Sequence, residues 1–220
     1  MHSFKLKVNI HLISTVHTEK GGCTAESLFN ILNTIKPDVV FGESSSEMFE
    51  SFKKELIQSS LELNAIEKLS QYHSFSFVAI DTYPALNANS IYQVNVMFDS
   101  IAKDKEHSIA WRRNNENTRM NGFDYLNSEE SIEIFNAMAT REKAIVEETT
   151  NLNYKSIYTE WLNFHDAREN EMLDNINFYV ENNELEKAVF LCGSAHRKSI
   201  INKIKEKNNT QMRWNFQLPK

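Results

Sequence analysis

The sequence is poor in cysteine, glycine and proline, and it has no long uninterrupted apolar run. Its two cysteines are too few for a disulfide framework and lack the CxxC pairing typical of zinc sites. Cys192 lies in an apolar run as a small buried residue, whereas Cys23 precedes a predicted helix and is expected to be the more reactive thiol. Five glycines and three prolines form no linker, so the 220 residues are predicted to fold as one domain.

Neither positive nor negative residues are in large excess. The chain has 24 Lys and Arg against 30 Asp and Glu, a net charge of −6, which argues against binding to nucleic acid. No apolar run approaches the roughly 20 residues that span a bilayer, so no membrane partner is expected. Polar side chains interrupt residues 1–15 where a signal peptide would be apolar, and a cytoplasmic location is therefore expected. The oligomeric state is not indicated.

The hydrophobic pattern predicts an α/β fold with a central, mostly parallel sheet and flanking helices. Residues 6–13 have an apolar side chain at every second position, so these side chains share one face, as in a strand. Thr24 is a favourable N-cap for a helix over residues 25–35, and Pro37 ends that helix. Further strands are predicted at 38–42, 75–80, 187–192 and 212–218, and further helices at 46–70 and 196–207.

The middle of the chain is predicted to be a helical insertion or cap over residues 89–183, of the kind that α/β enzymes place over a site. Helical spacing of apolar residues is clear over 89–103, 128–150 and 153–182. The segment 104–127 is polar and less regular. Its tryptophan and arginines could stack on nucleic acid, but the acidic residues among them favour a solvated loop.

Ionisable side chains follow four of the predicted strands, and this coincidence is the main functional signal. They are His17, Glu43, Asp81 and His196. The carboxyl ends of parallel strands lie at one edge of a sheet, where ligands bind. Each residue alone is more often a satisfied structural residue or a cap. Together, His17, Glu43 and His196 match the ligand set of zinc or another divalent transition metal, and they equally suit metal-free acid–base catalysis.

One face of the predicted helix 153–182 carries polar and aromatic side chains at steps of four, three and four residues. These side chains are Trp161, His165, Arg168 and Met172. Arg168 on this face would pair with Glu43 or Asp81, or bind an oxyanion. The alternative is that its long side chain reaches a surface carboxylate such as Asp166. The same face makes His165 a further candidate.

Four short motifs, in this order, resemble those of the TraB/Tiki family, which belongs to the wider group of erythromycin esterase and the haem-binding ChaN proteins. They are STVH at 14–17, PDVVFGE at 37–43, RENEM at 168–172 and GSAHR at 193–197. The late motif is the clearest match, and Ser14 stands where the family usually has glycine. The ordered set covers nearly the whole chain.

The resemblance implies an α/β fold with the motif residues at one end of the sheet, and it implies hydrolase chemistry. Tiki proteins resemble metal-dependent peptidases, and the esterase branch opens lactones with His and Glu. Carried over, the functional set is His17, Glu43, Arg168 and His196. We predict a hydrolase of a peptide, ester or similar acyl bond in a small-molecule or peptide substrate. The alternatives are a non-catalytic module that binds haem or another ligand, and an interaction or sensor domain.

Overall fold

Five strands form one all-parallel sheet in the computed structural model, which describes residues 7–54, 60–207 and 209–219. The order across the sheet is β3-β2-β4-β1-β5, and every neighbouring pair is parallel. The strands are β1 (Val8–Thr15), β2 (Val39–Gly42), β3 (Ser76–Ala79), β4 (Lys187–Gly193) and β5 (Met212–Asn215). The predicted α/β fold is confirmed.

Helices connect and cover these strands. Those in the described residues are α1 (Ala25–Ile35), α2 (Ser46–Lys53), α3 (Leu61–Ser70), α4 (Ala88–Ile101), α5 (Lys105–Leu126), α6 (Glu129–Glu148), α7 (Leu152–Asn182) and α8 (Arg197–Lys207). Four of them, α4 to α7, lie between β3 and β4, in the region predicted as a helical insertion. No helix in the described ranges is long and apolar enough to cross a membrane.

Helix α1 begins and ends where the sequence predicts. The Thr24 hydroxyl accepts from the Ser27 backbone N–H (3.0 Å), and the Ser27 hydroxyl accepts from the Thr24 backbone N–H (2.9 Å). This reciprocal capping box satisfies two N–H groups that the first turn leaves unpaired. At the other end Lys36 adopts a left-handed conformation (φ 52°), and Pro37 follows. Proline disfavours a helical residue before it, so the helix stops there.

Both faces of the sheet are covered by apolar side chains. Along β1, Ile13 points into a cluster with helices α1 and α3, whereas Leu12 points into a cluster with helices α7 and α8. Phe41 and Phe190, in β2 and β4, belong to the second cluster and are fully buried. This two-sided burial explains why β2 and β4 are apolar runs rather than alternating ones.

Several predicted elements differ from those in the structure. A single helix over 46–70 does not form, because Ser60 has an extended backbone and its hydroxyl caps α3 by accepting from the Leu63 N–H (3.3 Å). Leu56 and Ile57, whose apolar side chains fit the helical spacing of that segment, lie outside the described residues. At the edges, residue 6 of the predicted first strand also lies outside them, and β5 ends at Asn215 rather than 218.

Residues 111–119, the tryptophan and arginine cluster predicted as a solvated loop, lie in helix α5. Asp104 caps it by accepting from the backbone N–H groups of Glu106 (3.1 Å) and His107 (2.9 Å). The helix is kinked at Gly122 (φ 55°, ψ −135°), where a Cβ would lie 2.8 Å from the carbonyl oxygen of Gly22. The contact between two glycines far apart in sequence gives no local signal in the pattern.

A buried arginine fastens the end of β1 to the rest of the fold. Arg197 is 2% exposed and donates to the Ser14 hydroxyl (3.2 Å), the Asn127 side-chain oxygen (3.0 Å) and the carbonyl oxygen of Phe216. Asn127 in turn accepts from the Ser14 N–H (2.8 Å). The last residue of the GSAHR motif is therefore a structural residue.

Candidate functional site

The candidate site lies at the carboxyl ends of four neighbouring strands, under helix α7. Glu43 follows β2, Asp81 follows β3, His196 follows β4 in a single 3₁₀ turn (Ser194–His196), and His17 follows β1. Because parallel strands end at a common edge, the connections after them deliver these side chains to one region.

Arg168 reaches down from α7 onto two of the carboxylates, as its position on the helix predicts. Its Nη2 donates to Glu43 Oε1 (2.8 Å) and to Asp81 Oδ2 (2.8 Å), and its Nε donates to Asp81 Oδ2 (3.0 Å). The arginine side chain is 18% exposed and that of Glu43 is 7% exposed. Burial opposes the charge, but the two carboxylates outweigh it and raise the pKa of Arg168. The guanidinium is therefore a fixed positive charge at the sheet edge.

Glu43 uses both of its oxygens. Oε1 binds Arg168, and Oε2 accepts from the backbone N–H of Gly193 at 2.6 Å. A Cβ at Gly193 would lie 3.4 Å from Glu43 Oε2, so glycine lets the carboxylate lie directly against the end of β4. The carboxylate is thereby fixed in position by three elements of the fold.

His196 lies between two carboxylates. Its Nδ1 hydrogen-bonds Glu169 Oε1 at 2.7 Å, and its Nε2 lies 3.5 Å from Glu43 Oε1. Glu169 also accepts from the Ser199 hydroxyl (2.5 Å). The orientation of the imidazole is thus set by α7, through the residue that directly follows Arg168. We refer to Arg168, Glu43, Asp81, His196 and Glu169 together as the sheet-edge network.

His165 packs against this network through its ring. The centroid of its ring is 5.0 Å from that of His196 and 3.9 Å from that of Trp161. Burial, together with repulsion from His196 and Arg168, lowers the pKa of His165 to about 3. Both of its ring nitrogens are buried and make no hydrogen bond within the described chain. At neutral pH it is therefore an uncharged imidazole with unused hydrogen-bonding capacity.

His17 forms its ion pair with Glu62, not with Glu43. Its Nδ1 lies 3.3 Å from Glu62 Oε1, which also accepts from the Thr15 hydroxyl (2.8 Å). The His17 side chain is 69% exposed, whereas that of Glu62 is 14% exposed. The hydrogen bond to Glu62 raises the pKa of His17 against the effect of partial burial, and the charge of Glu43 adds to the increase. His17, Glu62, Glu43 and Ser44 line one cavity of about 220 Å³.

The predicted metal ligands do not fit a divalent ion in this arrangement. No three His, Cys, Asp or Glu side chains in the described part of the chain form a group that could hold a metal. The guanidinium of Arg168 binds the carboxylate of Glu43, so a positive charge lies where a metal would need that ligand. His17 is paired with Glu62 instead. Haem binding stays a prediction.

Two acidic residues that the sequence reasoning missed complete the histidine pairs. Glu169 lies four residues after His165 and three before the buried Met172, so helical spacing already indicates that it faces inward. Glu62 lies in the first turn of α3, and nothing in its local sequence indicates that this turn packs against the end of β1.

Cys23, predicted as the more reactive of the two thiols, is as fully buried as Cys192, so neither thiol is exposed to react. The sulfur of Cys23 lies 3.9 Å from the carbonyl oxygen of Thr118. Burial raises the pKa of Cys23 to about 11, so the thiol is neutral at physiological pH.

Searches of protein-family models, of curated proteins and of solved structures return no match to this chain. The resemblance to TraB/Tiki proteins therefore stays a prediction.

Proposed function

We propose that the protein is a hydrolase of the TraB/Tiki type that cleaves a peptide, ester or similar acyl bond by acid–base catalysis without a metal. The observation that carries the proposal is the His17–Glu62 pair, which lines the same cavity as Glu43, with the Arg168 guanidinium bound to that carboxylate. A base held by a carboxylate beside a fixed positive charge is the arrangement that acyl hydrolysis needs.

In this proposal His17 is the general base. Glu62 accepts the proton of Nδ1, which leaves the lone pair of Nε2 to take a proton from water. Because the hydrogen bond to Glu62 raises the pKa of His17 above 6.5, the imidazole is a stronger base than a free histidine. Its exposed side chain gives water and substrate direct access.

Arg168 stabilises the negative charge that develops on the carbonyl oxygen. Glu43 and Asp81 take its Nη2 and Nε, which leaves the Nη1 group free of both carboxylates. A guanidinium already held in place costs little reorganisation when charge develops next to it. His196, held by Glu169 through Nδ1, is the candidate acid for the leaving group.

The test is hydrolysis of simple acyl substrates by the full chain after exhaustive dialysis against a chelator. We expect turnover of p-nitrophenyl esters or of a peptide amide, and a loss of about 100-fold or more in kcat/KM for His17→Asn, the scale of a lost general base. His73→Asn is the matched control, because His73 binds the Pro37 carbonyl oxygen at the opposite edge of the sheet.

Two outcomes would contradict the proposal. Equal activity of the His17 and His73 variants would remove His17 from the chemistry. Loss of activity on chelation, with recovery on adding Zn²⁺, would replace the metal-free mechanism by a metal-dependent one.

A further inference from the structure

A second cavity, of about 690 Å³, lies beside Arg168 and Asp81. One wall is the loop after β3, with Tyr83 and Pro84, and the other is the amino-terminal half of α7, with Trp161 and Phe164. The cavity therefore adjoins the guanidinium that the proposed mechanism uses, and it is large enough for a substituent of the substrate.

Aromatic rings dominate its walls. Phe164 contacts Tyr83 edge to face, with ring centroids 5.6 Å apart, and it stacks on Trp161 at 6.3 Å. Trp161 in turn contacts Phe98. The packed rings of Tyr83, Phe164 and Trp161, on the two walls, offer a rigid apolar surface, and the faces of such rings attract organic cations.

The charges around this cavity also favour a cation. Its lining includes the carboxylates of Asp81 and Glu47, and Glu43 lies directly behind Arg168. The guanidinium of Arg168 opposes these three carboxylates, but Glu43 and Asp81 already neutralise its charge. His165, on the same wall, is uncharged at neutral pH.

Two residues that line this cavity have unused hydrogen-bonding atoms. Asp81 Oδ1 is buried and has no partner within the described chain, since both hydrogen bonds from Arg168 go to Oδ2. Both nitrogens of His165 are buried and unpartnered in the same sense. Buried polar atoms are normally paired, so unpaired ones in two residues that line a cavity favour a ligand that supplies the partners.

We propose that this cavity binds the ammonium group of a substrate that carries a protonated amine next to the scissile acyl group. The ammonium donates to Asp81 Oδ1 and to the acceptor nitrogen of His165, and its carbon skeleton packs on Tyr83, Trp161 and Phe164. The inference rests on the proposed function only for the acyl group, because recognition of the cation is a property of the cavity itself.

The test is binding of three probes of similar shape to the full chain, measured by titration calorimetry at neutral pH. They are phenylethylammonium, 2-phenylethanol and 3-phenylpropanoate. We expect the cation to bind about 10-fold more tightly than the alcohol, and the anion to bind most weakly. Trp161→Leu is expected to weaken binding of the cation by about 10-fold. The matched control is Trp111→Leu, because Trp111 lies on α5 with 52% exposure and does not line the cavity.

Equal affinities for the three probes, or preference for the anion, would overturn the inference. So would equal losses in the two tryptophan variants. If Trp161→Leu does not fold, Glu47→Gln is tested instead. This variant should weaken binding of the cation by about threefold and leave binding of the alcohol unchanged. The proposed function is judged separately, by hydrolysis. Selective binding of the cation without hydrolysis of any ester keeps the cavity and rejects the hydrolase, and hydrolysis without selectivity does the reverse.

Discussion

The helical segment contains a network of nearly the same composition as the sheet-edge network, yet the two differ in how fully the arginine uses its aspartate partner. In the helical network, Arg141 binds Asp104 through Nη2 (2.6 Å) and Nε (3.0 Å), and Glu106 lies 3.4 Å from Nε. Beside it, His107 pairs with Glu142 at 3.1 Å. Each network thus combines an arginine, two carboxylates and a histidine–glutamate pair.

Asp104 and Asp81 show the difference most clearly. Both oxygens of Asp104 are taken by Arg141, and Oδ1 also caps α5. Asp81 gives Arg168 one oxygen and keeps the other unpaired beside a cavity. The members of the helical network are close in sequence and join neighbouring helices, whereas the sheet-edge network joins three strand ends to α7. Residue types alone do not separate the two networks, and neither does a single unpaired atom, since His107 Nδ1 is also buried without a partner in the described chain. The difference is that Asp81 keeps one carboxylate oxygen unpaired and lines a cavity.

The largest expected effect comes from replacing the arginine in each network. Arg168→Gln should lower kcat/KM for the acyl substrate by about 100- to 1000-fold, the scale of a lost oxyanion donor, since glutamine carries no charge. Arg141→Gln should leave kcat/KM unchanged, because Arg141 lies in the helical network. Both variants are first checked by thermal unfolding, since each leaves carboxylates without their partner.

Similar losses in both arginine variants would show that the effect comes from the general stability of the fold. Full activity of a folded Arg168→Gln protein would place Arg168 among the scaffold residues, together with Arg141.

The pH dependence of the rate provides the second, smaller effect. As a base, His17 acts only when neutral, so kcat/KM should rise with pH through its raised pKa, at a point above 6.5. Glu62→Gln removes the carboxylate that raises this pKa, and the acid limb of the profile should therefore move to lower pH. Glu142→Gln, at the equivalent position beside His107, should leave the limb in place.

A profile that does not move in Glu62→Gln would assign the acid limb to another group. The position of the limb is a better measurement than the rate alone, because a purely structural role of Glu62 would lower activity at all pH values without moving the limb.

The sequence predicts the sheet, its helices and most of the strand-end residues because these depend on short-range patterns. Alternation in 6–13, the Thr24 cap and the spacing along α7 each involve residues a few positions apart. Arg168 reaches Glu43 and Asp81 as predicted, since the face of a helix and the edge of a parallel sheet are both set by such local rules.

What the sequence does not predict depends on how distant segments pack. The pairing of His17 with Glu62 requires the first turn of α3 to lie against the end of β1. The polar composition of residues 111–119 predicts a loop, and the contact of Gly122 with Gly22 at the kink of α5 joins segments about a hundred residues apart. Two histidines and a glutamate are equally consistent with a metal site and with metal-free catalysis, so the residue types alone do not choose between them.

The smallest expected effect concerns stability in acid, and it tests the helical network alone. The hydrogen bonds from Arg141, and those from the first turn of α5, hold the pKa of Asp104 well below its usual value of 3.8. A depressed carboxyl pKa stabilises the fold above the unfolded value and loses that contribution as pH falls through the folded value. The free energy of unfolding, measured in urea, should therefore decrease more steeply between about pH 5 and pH 2 in the wild type than in Asp104→Asn. The two proteins should differ most at the upper end of this range and converge at the lower end, while their activity at neutral pH stays equal.

Parallel curves would mean that Asp104 titrates normally, and a loss of activity in Asp104→Asn would mean that the two networks are coupled through the helices that separate them.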